Sequence, residues 1–159
     1  MTLQTVPNTG LVVTTDVGNP TDIHPTDKLT VGNRLAQWAL GTAYGKDVVP
    51  MGPMYREAEF DGEKVIIHFD HAGSGLATSD GGPVRGVVIS DESKRFRWAT
   101  AEIDGDKLIV VSDRYKKPVS VRYGWADNPD WTNLINKEGL PASPFRTDNW
   151  AGVTAPDGE

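Results

Sequence analysis

Two Asp-Gly pairs, Asp61-Gly62 and Asp104-Gly105, each sit between short runs rich in β-branched and apolar residues, and they constrain the fold more than any other feature. Glycine accepts the positive φ that a tight hairpin needs, so the flanking runs read as adjacent antiparallel strands. Strands are therefore expected over 54–60 and 64–69 about Asp61-Gly62-Glu63, and over 95–103 and 107–112 about Asp104-Gly105-Asp106. Two further runs, 84–90 and 118–123, bring the total to about six short strands with no helical period, the pattern of an antiparallel β-sandwich or jelly roll. A Gly-rich loop fills 70–83. From 124 to 150 the pattern is irregular, and that stretch is expected to lie along a surface with Trp125, Phe145 and Trp150 as anchors. The β domain thus spans 55–150, with an irregular C-terminal tail, and 151–159 form a flexible terminus.

The first 45 residues obey a different period. Leu11-Val12-Val13-Thr14-Thr15 is an unbroken β-branched run of the kind found in a sheet covered on both faces. From Thr26, taken as N-cap with Asp27 in the first turn, apolar or small positions recur at Val31, Leu35, Trp38 or Ala39, and Thr42 or Ala43, close to helical spacing. Gly45 supplies the stop. Residues 1–45 therefore read as the closing strand-loop-helix unit of an α/β domain whose other strands are missing from this sequence. Residues 46–54, with Pro50, Gly52 and Pro53, form the linker. Such a unit leaves an apolar face uncovered, so homo-oligomerisation or poor solubility is predicted.

Composition removes several classes of function. The net charge is −6 with no basic cluster, which gives no footprint for nucleic acid or anionic lipid. No apolar run approaches the length that crosses a bilayer, and Met1-Thr2-Leu3-Gln4 lacks the charged start of a signal peptide. The absence of cysteine excludes disulfides and thiolate metal sites and leaves the redox compartment open.

The loop between the first strand and the helix carries the candidate chemistry. In Asp22-Ile23-His24-Pro25 an acid and an imidazole stand where open α/β sheets place their reacting groups. The competing structural explanation is that Asp22 and Thr26 cap a helix and His24 is an ordinary surface side chain. An imidazole base would take a hydroxyl proton and return it to a leaving alcohol, with a carboxylate fixing its tautomer. Its nucleophile is not evident. Ser74, in Gly73-Ser74-Gly75, is the nearest imitation of a nucleophile turn, and its glycines fit a flexible turn better. His68 and His71, three apart around a strand end, point to opposite faces and make no ready metal pair. The Gly-rich loop with Gly81-Gly82 lacks the Lys-Ser/Thr ending and following helix of a phosphate loop. Trp98, Tyr123, Trp125, Trp131 and Trp150 could form a sugar-stacking platform, although filling a core or interface is the stronger explanation.

Four ordered blocks carry a family resemblance: Asp22-Ile23-His24-Pro25 followed by Val31-Gly32-Asn33-Arg34-Leu35-Ala36; Phe69-Asp70-His71-Ala72-Gly73-Ser74-Gly75-Leu76; Arg122-Tyr123-Gly124-Trp125-Ala126-Asp127-Asn128-Pro129; and Glu138-Gly139-Leu140-Pro141-Ala142-Ser143-Pro144-Phe145-Arg146-Thr147-Asp148. Together they resemble the C-terminal part of sialate O-acetylesterase-like proteins, which are similar to SGNH-type hydrolases. The resemblance implies a three-layer α/β catalytic domain accompanied by β domains. It implies removal of acetyl groups from sugar hydroxyls, on sialic acids or on polysaccharides such as xylan, without a metal or other cofactor. It makes His24 the general base and Asp22 the nearest acid. SGNH hydrolases place the acid three residues before the His, where this chain has Thr21, so Asp22, Asp16 and a backbone carbonyl remain alternative orienting groups. The Ser, Gly and Asn blocks of nucleophile and oxyanion hole have no counterpart here, and the chain is expected to start inside the catalytic domain.

Two functions of different class follow. In the first, the chain is the C-terminal segment of a carbohydrate O-acetylesterase, acting on acetylated carbohydrate and partnered by the N-terminal catalytic segment of the same enzyme or by another copy. In the second, it is a non-catalytic β-sandwich module that binds carbohydrate or protein. The chain carries no address of its own, and the resemblance suggests a secreted or periplasmic parent.

Overall fold

A computed structural model describes residues 5–7 and 9–152; residues 1–4, and 153–159 of the expected flexible terminus, lie outside the described residues. In chain order the elements are α1 (Lys28–Trp38), β1 (Met54–Asp61), β2 (Lys64–Asp70), β3 (Leu76–Thr78), β4 (Val87–Ser90), β5 (Arg97–Trp98), β6 (Thr100–Asp104), β7 (Lys107–Val111), β8 (Ser120–Tyr123), β9 (Leu134–Asn136) and β10 (Phe145–Arg146). Among the described residues the protein is mainly β with one short α-helix, and the strand pairs are antiparallel. Both Asp-Gly pairs sit at hairpin turns: Asp61 pairs with Lys64 and Asp104 with Lys107, and Gly62 and Gly105 have φ of +62° and +66°.

Side chains alternate across each sheet, and that alternation decides what is buried. In the sheet β1-β2-β7-β6, Val65 and Ile67 of β2 lie opposite Val110 and Leu108 of β7, all four without solvent exposure. In the sheet β10-β8-β4-β5, Val87 and Ile89 oppose Tyr123 and Val121. The inward faces of both sheets join one hydrophobic cluster, completed by Leu76 and Leu134 from the small β3-β9 sheet and by Phe145. Burying one such side chain contributes about 1.5–3 kcal/mol.

The expected single strand over 95–103 is two strands in different sheets. β5 pairs with β4, β6 pairs with β7, and the chain crosses at Ala99, whose N–H donates to the Val87 carbonyl at 3.1 Å. The Gly-rich stretch and the tail also hold more structure than expected, since β3, β9 and β10 lie in them. These strands are two or three residues long, too short for a period to show. Of the expected tail anchors, Phe145 is buried, whereas Trp125 is 51% exposed.

The tail is held by amides. Asn136 is fully buried: its Nδ2 donates to the Met51 carbonyl at 3.2 Å and the His71 carbonyl at 3.4 Å, and its Oδ1 accepts from Leu140 N–H at 2.9 Å. Asn133, 2% exposed, donates to Asp80 Oδ1 and the Pro83 carbonyl and accepts from Arg85 N–H. The segment expected as a linker is docked here. Ser143 N–H donates to the Pro53 carbonyl at 2.9 Å, and Gly52 lies so close to Pro141 that any Cβ would strike its carbonyl.

The N-terminal unit differs from expectation in two places. Residues 11–15 form no strand; with no neighbouring chain to pair, the Val13 carbonyl accepts from Arg34 Nη1 at 2.7 Å instead. The helix cap is Asp27 and not Thr26, because the Asp27 carboxylate reaches both the N–H (2.9 Å) and the hydroxyl (2.7 Å) of Thr30. After α1 the chain makes a π turn over Ala39–Ala43 and stops at Gly45, φ +60°. α1 has no buried residue, and Ile23, Leu29, Leu35 and Tyr44 are 91%, 74%, 51% and 72% exposed. No helix among the described residues is long and apolar enough to cross a membrane.

Replacing Asn136 by Ala would remove the partner of two part-buried carbonyls and of the buried Leu140 N–H, so Asn136→Ala is expected to lower stability by about 3 kcal/mol. Urea unfolding followed by Trp fluorescence checks this; an unchanged midpoint would show the amide to be dispensable.

Candidate functional site

The loop between Asp16 and α1 is shaped by side chains that imitate backbone turns. Asn19 Oδ1 accepts from the N–H and the hydroxyl of Thr21, at 2.9 and 3.0 Å. Asp22 Oδ1 accepts from the N–H of His24 at 2.8 Å. Such bonds to residues two places on fix a turn without help from a sheet, and Pro20 and Pro25 restrict the backbone on either side. Ile23 and His24 consequently project outward, His24 with 77% of its side chain exposed.

The groups considered for orienting His24 have different partners. Asp22 Oδ1 stands 3.3 Å from His24 Nδ1. Asp16 is taken by Arg34, in a two-pronged pair at 2.7 and 2.6 Å. Thr21 is engaged with Asn19. The other ring nitrogen, Nε2, has no hydrogen-bond partner among the described residues.

The seven serines all lie between residues 74 and 143. None of their hydroxyls hydrogen-bonds His24 among the described residues. Ser74 donates from N–H and Oγ to Glu138 Oε1 at 2.9 and 2.6 Å, and the hydroxyl bond holds the Glu138 carboxyl below its usual range. Gly73, φ +59°, allows this closeness, since a Cβ there would meet the Glu138 carboxylate. The Gly-rich turn is thus a clasp between the loop after β2 and the turn after β9. Ser90 donates to the Asp91 carbonyl and Ser120 to Asp148, and Ser93 and Ser112 accept from backbone N–H groups.

The remaining imidazoles are apart from the loop. His68 lies 2.8 Å from Glu59 across β1 and β2. His71, φ +59°, lines a cavity of about 280 Å³ with Trp38, Tyr55 and Asp70. No cluster of three metal-ligating side chains is found among the described residues.

The five candidate aromatics divide. Tyr123 is core, its hydroxyl accepting from Leu134 N–H. Trp125 and Trp150 belong to a charged network on the second sheet, which sequence reasoning missed because its central residue, Arg122, meets Phe96 and Asp148 across 26 residues each. Arg122 lies 4.1 Å from the Phe96 ring and grips Asp148 at 2.7 and 2.8 Å, while Arg146 lies over Trp125 at 5.1 Å. Asp148 is almost fully buried. Burial opposes its charge, but the bonds from Arg122 and Ser120 and the Arg122 charge outweigh it and hold the carboxyl at about 2. Trp98 and Trp131 are 67% and 40% exposed.

No protein-family model matches the chain, and no curated protein matches it. Among solved structures, a carbohydrate acetylesterase from Xanthomonas citri superposes with a TM-score of 0.82 at 54% sequence identity. The match covers 85% of this chain and 31% of the other, so the chain spans about a third of that protein's length. The resemblance to carbohydrate esterases read from the sequence therefore has a structural counterpart.

The low titration of Asp148 carries a sign. Its folded carboxyl titrates at about 2 against an ordinary 3.8, so its contribution is full above pH 3.8 and is lost as pH falls toward 2. That contribution is about 2 kcal/mol. Asp80, held to about 2 by Arg85, Asn133 and Gly82, acts in the same window. In guanidinium unfolding between pH 5 and about 2, Asp148→Asn should remove part of the acid dependence and the Asp80→Asn double variant more. A profile as steep as wild type would contradict the assignment.

Proposed function

We propose that this chain is a segment of a carbohydrate acetylesterase in which His24 is the general base and Asp22 its orienting acid. The observation that carries the reading is the 54% identity to a carbohydrate acetylesterase over 85% of the chain. The substrate is an acetyl ester of a sugar hydroxyl, as in sialate O-acetylesterase-like enzymes. Residues 1–45 belong to the edge of an SGNH-type α/β domain. The β domain that follows is a sandwich of the two four-stranded sheets. The exposed Ile23, Leu29 and Leu35 give the N-terminal unit an apolar face suited to packing on the rest of that domain.

In this reading His24 Nε2 takes the proton of an attacking hydroxyl as its oxygen bonds to the acetyl carbonyl carbon. The imidazolium, stabilised by Asp22, then returns the proton to the sugar oxygen as the ester C–O bond breaks. A second passage with water releases acetate. The attacking hydroxyl comes from another segment of the parent enzyme, a view supported by the structural engagement of Ser74, Ser90 and Ser120.

The test grafts this chain in place of the matching third of the Xanthomonas enzyme. The chimaera should deacetylate an acetylated sugar, and His24→Ala should lower kcat by about 10³-fold with the circular dichroism unchanged. Full activity in His24→Ala would refute the role of the imidazole. Hydrolysis of p-nitrophenyl acetate by the 159-residue chain alone, abolished by His24→Ala, would instead refute an external nucleophile.

A further inference from the structure

One groove lies outside everything assigned so far. Trp98 ends β5, the two-residue edge strand of the second sheet, and Trp131 stands in the loop before β9. Together with Val84, Arg85, Gly86 and Ala99 they line a cavity of about 280 Å³, and no residue of the His24 loop contributes to it. At 67% and 40% exposure, the two indoles are not filling the core. The rest of the apolar lining is Val84, Gly86, Val87 and Ala99. Gly86 must stay glycine, because its φ is +90° and a Cβ would press on Thr132.

The polar group at this groove is fixed before any ligand arrives. Arg85 Nη1 pairs with Asp80 at 2.5 Å and Nε donates to the Trp131 carbonyl at 3.0 Å, leaving Nη2 without a protein partner among the described residues. Asp80 is itself held by Asn133 Nδ2 and Gly82 N–H. The guanidinium is thus immobilised, and its charge is balanced by the neighbouring carboxylate. What it offers is a directed N–H donor beside aromatic faces, not a net positive field.

We infer that the groove between Trp98 and Trp131 binds a neutral pyranose ring of a saccharide chain. A pyranose presents C–H faces that an indole covers well and a rim of hydroxyls that accept from an N–H donor. A cavity of this size is at the lower end for a ligand site and suits one sugar unit, with the rest of the chain running past it. Capture of an extended protein segment fits less well, because a two-residue edge strand offers almost no ladder to extend. The ligand class rests on the reading under Proposed function. The site itself is additional to it, a place where the carbohydrate is held rather than deacetylated.

The test uses the full chain and four probes: cellohexaose, xylohexaose and the partially acetylated form of each. Indole N–H resonances are followed by NMR, and affinities are measured by calorimetry. At least one probe should give saturable shifts confined to the Trp98 and Trp131 indoles. Trp98→Ala and Trp131→Ala should each weaken binding by about tenfold. Trp98→Tyr keeps an aromatic face and should retain most of the affinity, while Trp125→Ala and His24→Ala should leave it unchanged. No saturable response to any probe, or equal affinity in Trp98→Ala and Trp131→Ala with unchanged circular dichroism, would overturn the proposal. So would a change in sedimentation on Trp98→Ala, which would make the groove a protein contact. Binding needs no ester cleavage. An inactive chimaera with intact binding would sink the esterase reading alone, and an active chimaera with no binding would sink only the groove.

Discussion

A carboxamide with no solvent exposure has to find partners for all its polar atoms, and at Asn136 that requirement draws three distant segments together. Its two N–H bonds fix the carbonyls of Met51 and His71, and its oxygen closes the turn to Leu140. Water cannot substitute at such a site, so the segments either meet there or leave buried groups unpaired. The approach of Gly52 to Pro141 and the bond from Ser143 to Pro53 follow from the same meeting. The hydrophobic cluster makes the sheets cohere, while the amides decide where the irregular chain runs between them.

The His24 loop is built on the opposite plan. Its turns come from Asn19, Asp22 and Asp27, each bonding residues two or three places on, and the link to Arg34 ties Asp16 and Val13 to α1. Such a loop holds its shape with little tertiary support. It leaves Ile23 and His24 largely exposed, on a unit whose helix has no fully buried residue.

The sequence disclosed what depends on local chemistry. Asp61-Gly62 and Asp104-Gly105 marked their hairpins, the apolar runs beside them marked the paired strands, and Gly45 ended a helical stretch at its positive φ. It concealed what depends on partners far along the chain. The alternation through Arg97, Trp98 and Thr100 gives no hint that the strand changes sheets at Ala99. β9 and β10 are strands because Leu76, Ala77, Arg122 and Tyr123 offer them edges, not because three residues have a period. Asp22 and His24 stood out because acid and imidazole are adjacent, whereas the Arg122–Asp148 pair and the Trp98–Trp131 groove join residues too far apart for any motif to show. Leu11 to Thr15 failed as a strand for the complementary reason: β propensity needs a neighbour.

The bond from Asn136 to Met51 bridges 85 residues. Closing a loop of that length costs about 4 kcal/mol of chain entropy, a sum that returns only when the residues between have already condensed. The N-terminal unit is tied in beside that bond, where Gln37 Nε2 of α1 donates to the Val49 carbonyl, two residues before Met51, at 2.7 Å. A turn written near residue 140 thus meets the connection that leads from α1 into β1.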